Sequence, residues 1–526
     1  MPEVVPGPGS GKPPPALSEL DDQAQPARQV LPRRQMLLLG GGVAAGAALL
    51  GGCTTQPQPE NAASDSGVSP GAPAVRHYKS RPDLRPAAAV VDTNTGQPAP
   101  GVVLLDSHAG VGQQGPMILD NAGELVWFRP LSAGQTPKLR AMNVRVQHYQ
   151  GEPVLTWWQG SVVNAHGEGH YVLANSHYKQ IAQVHGHGGL SGDLHEFLLT
   201  PAGTALFSCY GQATADLRSI GGTASHPYFY GVVQEVDVAT GKLVFQWRSD
   251  QHVSFSSSYA PISHDTSRPW DHFHINSITV APDGNLLVSA RNTWTVYKVH
   301  RKTGAVMWRM GGKHNSFTMG PKAKFSWQHH VTQHADGRFT IFDNESGDYK
   351  TGTNSRGLVL HVDEKRRHAS FVRQYNPPVP ILSAALGSVQ DLPGGNVLVG
   401  WGERPYFTEY KRDGSIVFSG HLKGKGTYDY RAFKSAWTGR PAGHPAIAVS
   451  SSGSGMNVYA SWNGDTRVRH WKVLAGSAAG NLSVVAQARR HGFETHIPVP
   501  RHAAYVAAAG YDSAGHELGR SPVHHL

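Results

Sequence analysis

A chain of 526 residues has room for two domains or for one large all-β unit with an appendage, and is well past the size at which a core needs disulfides to hold it. Its 61 glycines and 36 prolines favour turns, and the body has none of the long helix-period runs of Ala, Leu, Glu and Lys that a helical protein shows. The net charge of +10 includes a basic leader, and the other Lys and Arg are scattered apart from Lys365-Arg366-Arg367. That distribution argues against a nucleic-acid partner and favours encounter with anionic small molecules.

Residues 1–30, rich in Pro, Gly and Gln, are predicted to be disordered. Arg33-Arg34, the apolar stretch from Met36 to Leu50 and Leu50-Gly51-Gly52-Cys53 then read as a Tat-type lipoprotein signal over 1–53. The apolar stretch falls short of the roughly 20 residues of a membrane span. A plain signal anchor is the competing reading. With a lipobox, Cys53 becomes the lipidated N-terminus, and the protein is exported by the Tat route and anchored on the outer face of the cytoplasmic membrane. Residues 54–75 form a flexible tether. Besides Cys53 the chain has only Cys209, so no disulfide is expected within the body.

From residue 76 to 432, short apolar runs broken by Gly-containing turns recur: LDNAGELVWF, TPAGTALFS, VATGKLVFQW, APDGNLLVSA, RKTGAVMWRMGG, HADGRFTIF, LPGGNVLVGW and KRDGSIVFSG. They alternate between two kinds. One follows a polar residue and reads as an inner hairpin; the other carries a TG turn followed by Trp247 or Trp308 and reads as an outer one. Two hairpins make a four-stranded sheet, and the inner turns at Gly284, Gly337 and Gly395 repeat at the spacing of propeller blades. The prediction is a six-bladed β-propeller over 76–432, with an array of β-sandwiches as the alternative. From 433 to 526 the pattern changes to short alternating strands around Trp462, Asn463-Gly464 and Trp471, which predicts a β-sandwich-like C-terminal domain suited to packing or binding.

Three of the hairpins place a polar residue eight positions before the glycine of their turn: His195 before Gly203, Asn276 before Gly284 and His329 before Gly337. Equivalent blades would bring the three to one end of a common axis. Strand alternation puts His274 on the same face as Asn276, and Arg291 ends the paired run LLVSAR. The expected result is a cluster of cations and hydrogen-bond donors with no carboxylate in its core, which suits a tetrahedral oxyanion such as sulfate or phosphate.

The same residues carry a resemblance to the bacterial PAPS-independent arylsulfate sulfotransferases and their actinobacterial and fungal relatives. The matching segments are His195-Glu196, His274-Ile275-Asn276-Ser277, Ser289-Ala290-Arg291, Gln328-His329, Phe342-Asp343-Asn344 and Ser355-Arg356, within roughly residues 76–420. The chain departs from those members that carry a disulfide. The resemblance implies a six-bladed propeller that moves a sulfuryl group from a phenolic sulfate ester to another phenol. It implies His329 as nucleophile, a sulfohistidine intermediate, and Arg291, His195, His274 and Asn276 around the nonbridging sulfate oxygens. One of the histidines would protonate the leaving aryloxide. Neither a metal nor an organic cofactor is required. The expected partners are an aryl sulfate donor, a phenolic acceptor and, through Cys53, the membrane. Glu196, Gln328 and Ser277 read as supporting hydrogen bonds.

The remaining histidines give weaker signals. His185, His187 and the run from His166 to His170 have metal-ligand composition, but their Gly-rich flanks suggest a mobile loop at a mouth. His272 would share a face with His274 and could complete a zinc site with His195, although a clear third ligand is missing. His330 is expected to point away from His329. Two other functions compete on the same scaffold: a quinone-dependent dehydrogenase, suggested by the TG turns with Trp, and a non-catalytic lipoprotein that binds a ligand or protein.

Overall fold

The fold comes from a computed structural model that describes residues 73–131 and 138–526. The leader, Cys53 and nearly all of the tether lie outside the described residues. Within them every regular element is a β-strand apart from the single 3-10 turns Arg218–Ile220, Ser249–Gln251 and Phe255–Ser257. The expected all-β class is the one observed.

Hairpins join the strands into antiparallel groups of four. One runs from Gly192–Leu199 through Thr204–Ala215 and His226–Asp237 to Leu243–Arg248. The next opens at Ile275–Val280 and closes at Val306–Gly311. Two more start at His329–Gln333 and at Ser388–Asp391. Turns at Gly203, Gly284 and Gly337 link first and second strands, and those at Gly241, Gly304 and Gly414 link third and fourth. All six glycines have φ between 70° and 91°, the left-handed region where a Cβ is penalised. The two kinds of hairpin read from the sequence therefore occupy the two places expected of them.

A further group begins at Arg140–Tyr149 and includes Glu152–Val163 and His166–Ala174, so the His166–His170 run is strand and not the loop expected. Here Gly169 pairs with Gly192, merging two groups into one nine-stranded sheet. A Cβ on Gly192 would sit 2.8 Å from the Tyr171 ring and 3.2 Å from the Gly169 carbonyl oxygen, so a side chain there would push the groups apart.

The group formed by Val102–Ser107, Gly115–Leu119 and Leu125–Phe128 takes its fourth strand from far along the chain, Phe433–Ser435, which pairs with Val102 to Leu104. Ala89–Asn94 in turn adds to the outer strand Ile416–Leu422. The strands 140–149, 192–199, 275–280, 329–333, 388–391 and 433–435 touch one another in that order, and the last touches the first.

Tryptophans fasten neighbouring groups at their outer edges. Trp247 is buried and its indole N–H donates to the Gly304 carbonyl of the next group at 3.0 Å; Trp308 does the same to Glu364 at 3.0 Å. Beyond Ser435, two sheets enclose a core that includes Ile447, Val458, Trp462, Trp471, Val473 and Val506. Asn463 exchanges two hydrogen bonds, at 3.0 and 2.9 Å, with the backbone of Phe128.

Candidate active site

The candidate residues gather where the first strands begin and the second strands end. His195 lies in Gly192–Leu199, Asn276 in Ile275–Val280, His329 opens His329–Gln333, and Arg291 follows Leu286–Ala290. His274 does not get there by alternation. The strand starts at Ile275, His274 has φ 58°, and the pairing is irregular between Ile275 and Ser277. A backbone conformation that L-residues rarely adopt turns its ring toward His195, whereas the Asn276 amide donates to the Gln328 carbonyl at 2.5 Å. The Asn276 side-chain oxygen is buried without a partner.

His195 and His274 meet ring to ring, Nε2 to Nε2, at 3.1 Å. The far nitrogen of each rests on a carboxylate: His195 Nδ1 on Asp193 at 2.7 Å and His274 Nδ1 on Asp271 at 2.5 Å. The same Asp271 oxygen receives His166 Nε2 at 3.0 Å. The expectation that carboxylates stay out of the cluster is thus wrong. Asp193 stands two positions before His195, where the chain is already in strand, and Asp271 three before His274, within hydrogen-bond reach once the backbone turns at positive φ. The D-x-H spacing was visible in the sequence; His166 was not, because its approach depends on how the sheets pack.

Burial pushes Asp193 upward, but the charge and hydrogen bonds of His195, with His166 and the Gly167 N–H, outweigh it and hold the carboxyl below its usual value. Burial likewise opposes ionisation of Asp271, and His274 and His166 together more than reverse it. His274 itself is drawn down to about 4, chiefly by burial and against the pull of Asp271.

His329 is buried, at 1% exposure. Its Nδ1–H points at Asn344 Oδ1, 2.7 Å away, with the Trp327 carbonyl at 3.1 Å. The donor at Nδ1 leaves a lone pair on Nε2, which accepts from the Leu386 N–H at 3.2 Å. Burial, followed by the charge of Arg291, holds this imidazole well below its ordinary pKa. Arg291 spends Nη1 on Asn292 and Nη2 on the Ala384 carbonyl, stacks over Trp327 at 4.8 Å, and keeps a buried Nε–H without a partner. Glu403, raised mainly by its burial, lies within the field of Arg291 and accepts from the Ala384 N–H at 3.0 Å.

The supporting residues behave as expected. Glu196 accepts from Arg145 and from Arg431, Gln328 donates to Ser289 Oγ at 3.0 Å, and the Ser277 hydroxyl accepts from the Val331 N–H at 3.0 Å. Arg431, fully buried and absent from the sequence reading, also donates to the Asn276 carbonyl at 2.6 Å. His272 does not join the cluster; its Nδ1 faces the Phe229 carbonyl at 3.1 Å. His330 faces the Val389 N–H and lines a cavity of about 390 Å³ with Arg145, Thr332, His334 and Asp391, further along the same strands. His170 stacks on His185 at 5.1 Å.

Among the described residues, His166, Asp271 and His274 have metal-ligand spacing, their donor atoms within 4.8 Å of one another. The contacts of 2.5 and 3.0 Å between Asp271 and the two rings are hydrogen-bond lengths. Chemically, the cluster combines a neutral imidazole lone pair with a nearby guanidinium and a pair of carboxylate-backed histidines.

A family model described as Arylsulfotransferase (ASST) matches residues 145–423. No curated protein matches the chain. Among solved structures, a Bacteroides caccae protein of unknown function is 14% identical, covering 64% of this chain and 99% of its own with a TM-score of 0.39. A Lactobacillus plantarum protein is 12% identical, covering 76% and 99%, at 0.35. A streptogramin B lyase is 11% identical, covering 65% and 90%, at 0.33. Likeness at this level carries no inference about activity.

Proposed function

The chain belongs to the arylsulfotransferase (ASST) family, and we propose on that premise that it transfers a sulfuryl group from a phenolic sulfate ester to a second phenol, independently of PAPS, through a sulfohistidine at His329. The observation that carries this reading is the His329 ring. Its Nδ1–H is bound to Asn344, so the tautomer that presents Nε2 as nucleophile is fixed before substrate arrives, and the lowered pKa keeps that nitrogen unprotonated. Nε2 attacks sulfur in line, the S–O bond to the aryl group breaks, and the electron pair leaves on the aryl oxygen. Arg291, with its spare Nε–H, and the imidazoles of His195 and His274 face the charge that develops on the sulfuryl oxygens; Asn276 adds a side-chain dipole. The acceptor then attacks the N-sulfo group and frees His329.

We read the four-stranded groups as the six blades of a propeller over 76–432. The closed cycle of first strands supports this, as does the borrowing of Phe433–Ser435. The two sheets around the Trp462 and Trp471 core support a sandwich-like C-terminal domain over 433–526. Tat export and lipidation of Cys53 complete the proposal from the leader sequence alone; acyl labelling that is lost in Cys53→Ala checks them.

The direct experiment mixes the purified chain with para-nitrophenyl sulfate, with and without a phenol, and follows nitrophenol. Acceptor-dependent release that disappears in His329→Ala, together with an acid-labile, alkali-stable sulfo-adduct on the wild type, is the expected result. Transfer at near full rate by His329→Ala would remove His329 from the mechanism.

A further inference from the structure

Resting on the reading above for its catalytic consequence only, we infer that His195 and His274 share one extra proton, held as a His195 imidazolium, and that Asp193, Asp271 and His166 are the positioning residues that keep it there.

The argument is a count of protons. Asp193, His195, His274, Asp271 and His166 stand in a line joined by contacts of 2.7, 3.1, 2.5 and 3.0 Å. Each contact of that length needs a hydrogen between its two heavy atoms. Three neutral imidazoles bring three. With both carboxylates ionised, both Nδ1 atoms must carry hydrogen to face them, and two bare Nε2 lone pairs would then confront each other at 3.1 Å. A fourth proton removes the conflict. It does not belong on Asp193, whose oxygens already accept from Gly167 N–H at 2.7 Å, His195 N–H at 3.0 Å and Ser208 Oγ–H at 2.9 Å. His274 and His166 hold the Asp271 carboxyl well below its usual value, so the proton is not there either. Of the two rings, His195 stands beside the better hydrogen-bonded carboxylate, Asp193, whereas Asp271 Oδ1 is buried without a partner.

The groups facing the pair are few. From Thr204–Ala215 the Tyr210 ring lies 6.3 Å from each imidazole. The Tyr430 hydroxyl donates to the His195 carbonyl at 3.0 Å, and Arg291 and His329 complete the surroundings. Arg291 is the remaining fixed cation beside the pair, so two positive charges await an anionic sulfate ester.

In the first half-reaction the His195–His274 proton passes to the aryl oxygen as the S–O bond breaks, giving the neutral phenol, N-sulfated His329 and a neutral pair. In the second, the acceptor's hydroxyl proton returns to the pair as its oxygen takes sulfur and the S–N bond breaks. Atoms and charge balance in each half. The deprotonated pair, two lone pairs held face to face by their carboxylates, is a built-in base that relaxes only by taking the proton back.

Two measurements test this on the purified full chain. The first is ¹⁵N NMR of histidine-labelled protein at pH 7.5. The expected result is one buried histidine with hydrogen on both nitrogens, lost in His195→Asn and shifted in Asp193→Asn. A His195 with a single hydrogen overturns the inference whether or not any sulfate is transferred. The second compares donors in Asp193→Asn and His166→Phe. Loss of proton transfer should slow phenyl sulfate by about 100-fold or more, within the usual range for general acid catalysis, and para-nitrophenyl sulfate much less, because nitrophenolate leaves without help. Equal losses on both donors would mean that these residues serve folding alone. If no aryl sulfate reacts, the transferase reading falls while the NMR result still decides the proton.

Discussion

His329 is poised by what it gives away. Its pKa sits well below the ordinary histidine value because burial and then Arg291 disfavour the charged ring. The ring therefore stays neutral as pH falls through 6.5, and kcat/KM should show no acid limb there; a titration at the ordinary histidine pKa would show that the ring is not held as described. Arg291→Ala should cost roughly 2 to 4 kcal/mol of transition-state stabilisation, read as a fall in kcat as well as in affinity for the donor. The sequence showed His195, Asn276 and His329 through a shared register and Arg291 through its place at a strand end. Asp193, two positions before His195, was legible in the D-x-H spacing, whereas Asp271, three before His274, was not, because the positive φ at His274 breaks the period-two pattern where the chemistry lies.

Hairpins and their turns were the most legible feature. The glycines in TPAG, VATG, APDG, RKTG, HADG and KRDG mark positions where the backbone must be left-handed, so they survive as signals whatever the tertiary context. What the turns could not reveal is lateral packing. The pairing of Gly169 with Gly192 and the approach of His166 to Asp271 depend on contacts between groups remote in sequence. Trp247 and its hydrogen bond to Gly304 show how strongly such contacts hold. Trp247→Ala removes a buried indole and orphans a carbonyl, and should lower stability by about 3 to 5 kcal/mol, measured by denaturant unfolding with little change in KM if the variant still folds.

The chain closes on itself through segments that sequence pattern left unmarked. Phe433–Ser435 is three residues long, too short for a periodic signal, yet it supplies the strand that Val102 to Leu104 need. Chains cut after Ala432 and after Gly439 should therefore differ sharply: the longer retains a cooperative thermal transition, and the shorter, which leaves the 102–128 sheet with an open edge, loses it or aggregates. Similar transitions in both would show that the strand is dispensable. The borrowed strand also orders events during synthesis. Residues 102–128 leave the ribosome more than 300 residues ahead of their partner, a delay on the order of tens of seconds at ordinary translation rates. Throughout that interval a ladder of unpaired backbone groups is open to any passing strand, and it stays open until residue 435 emerges.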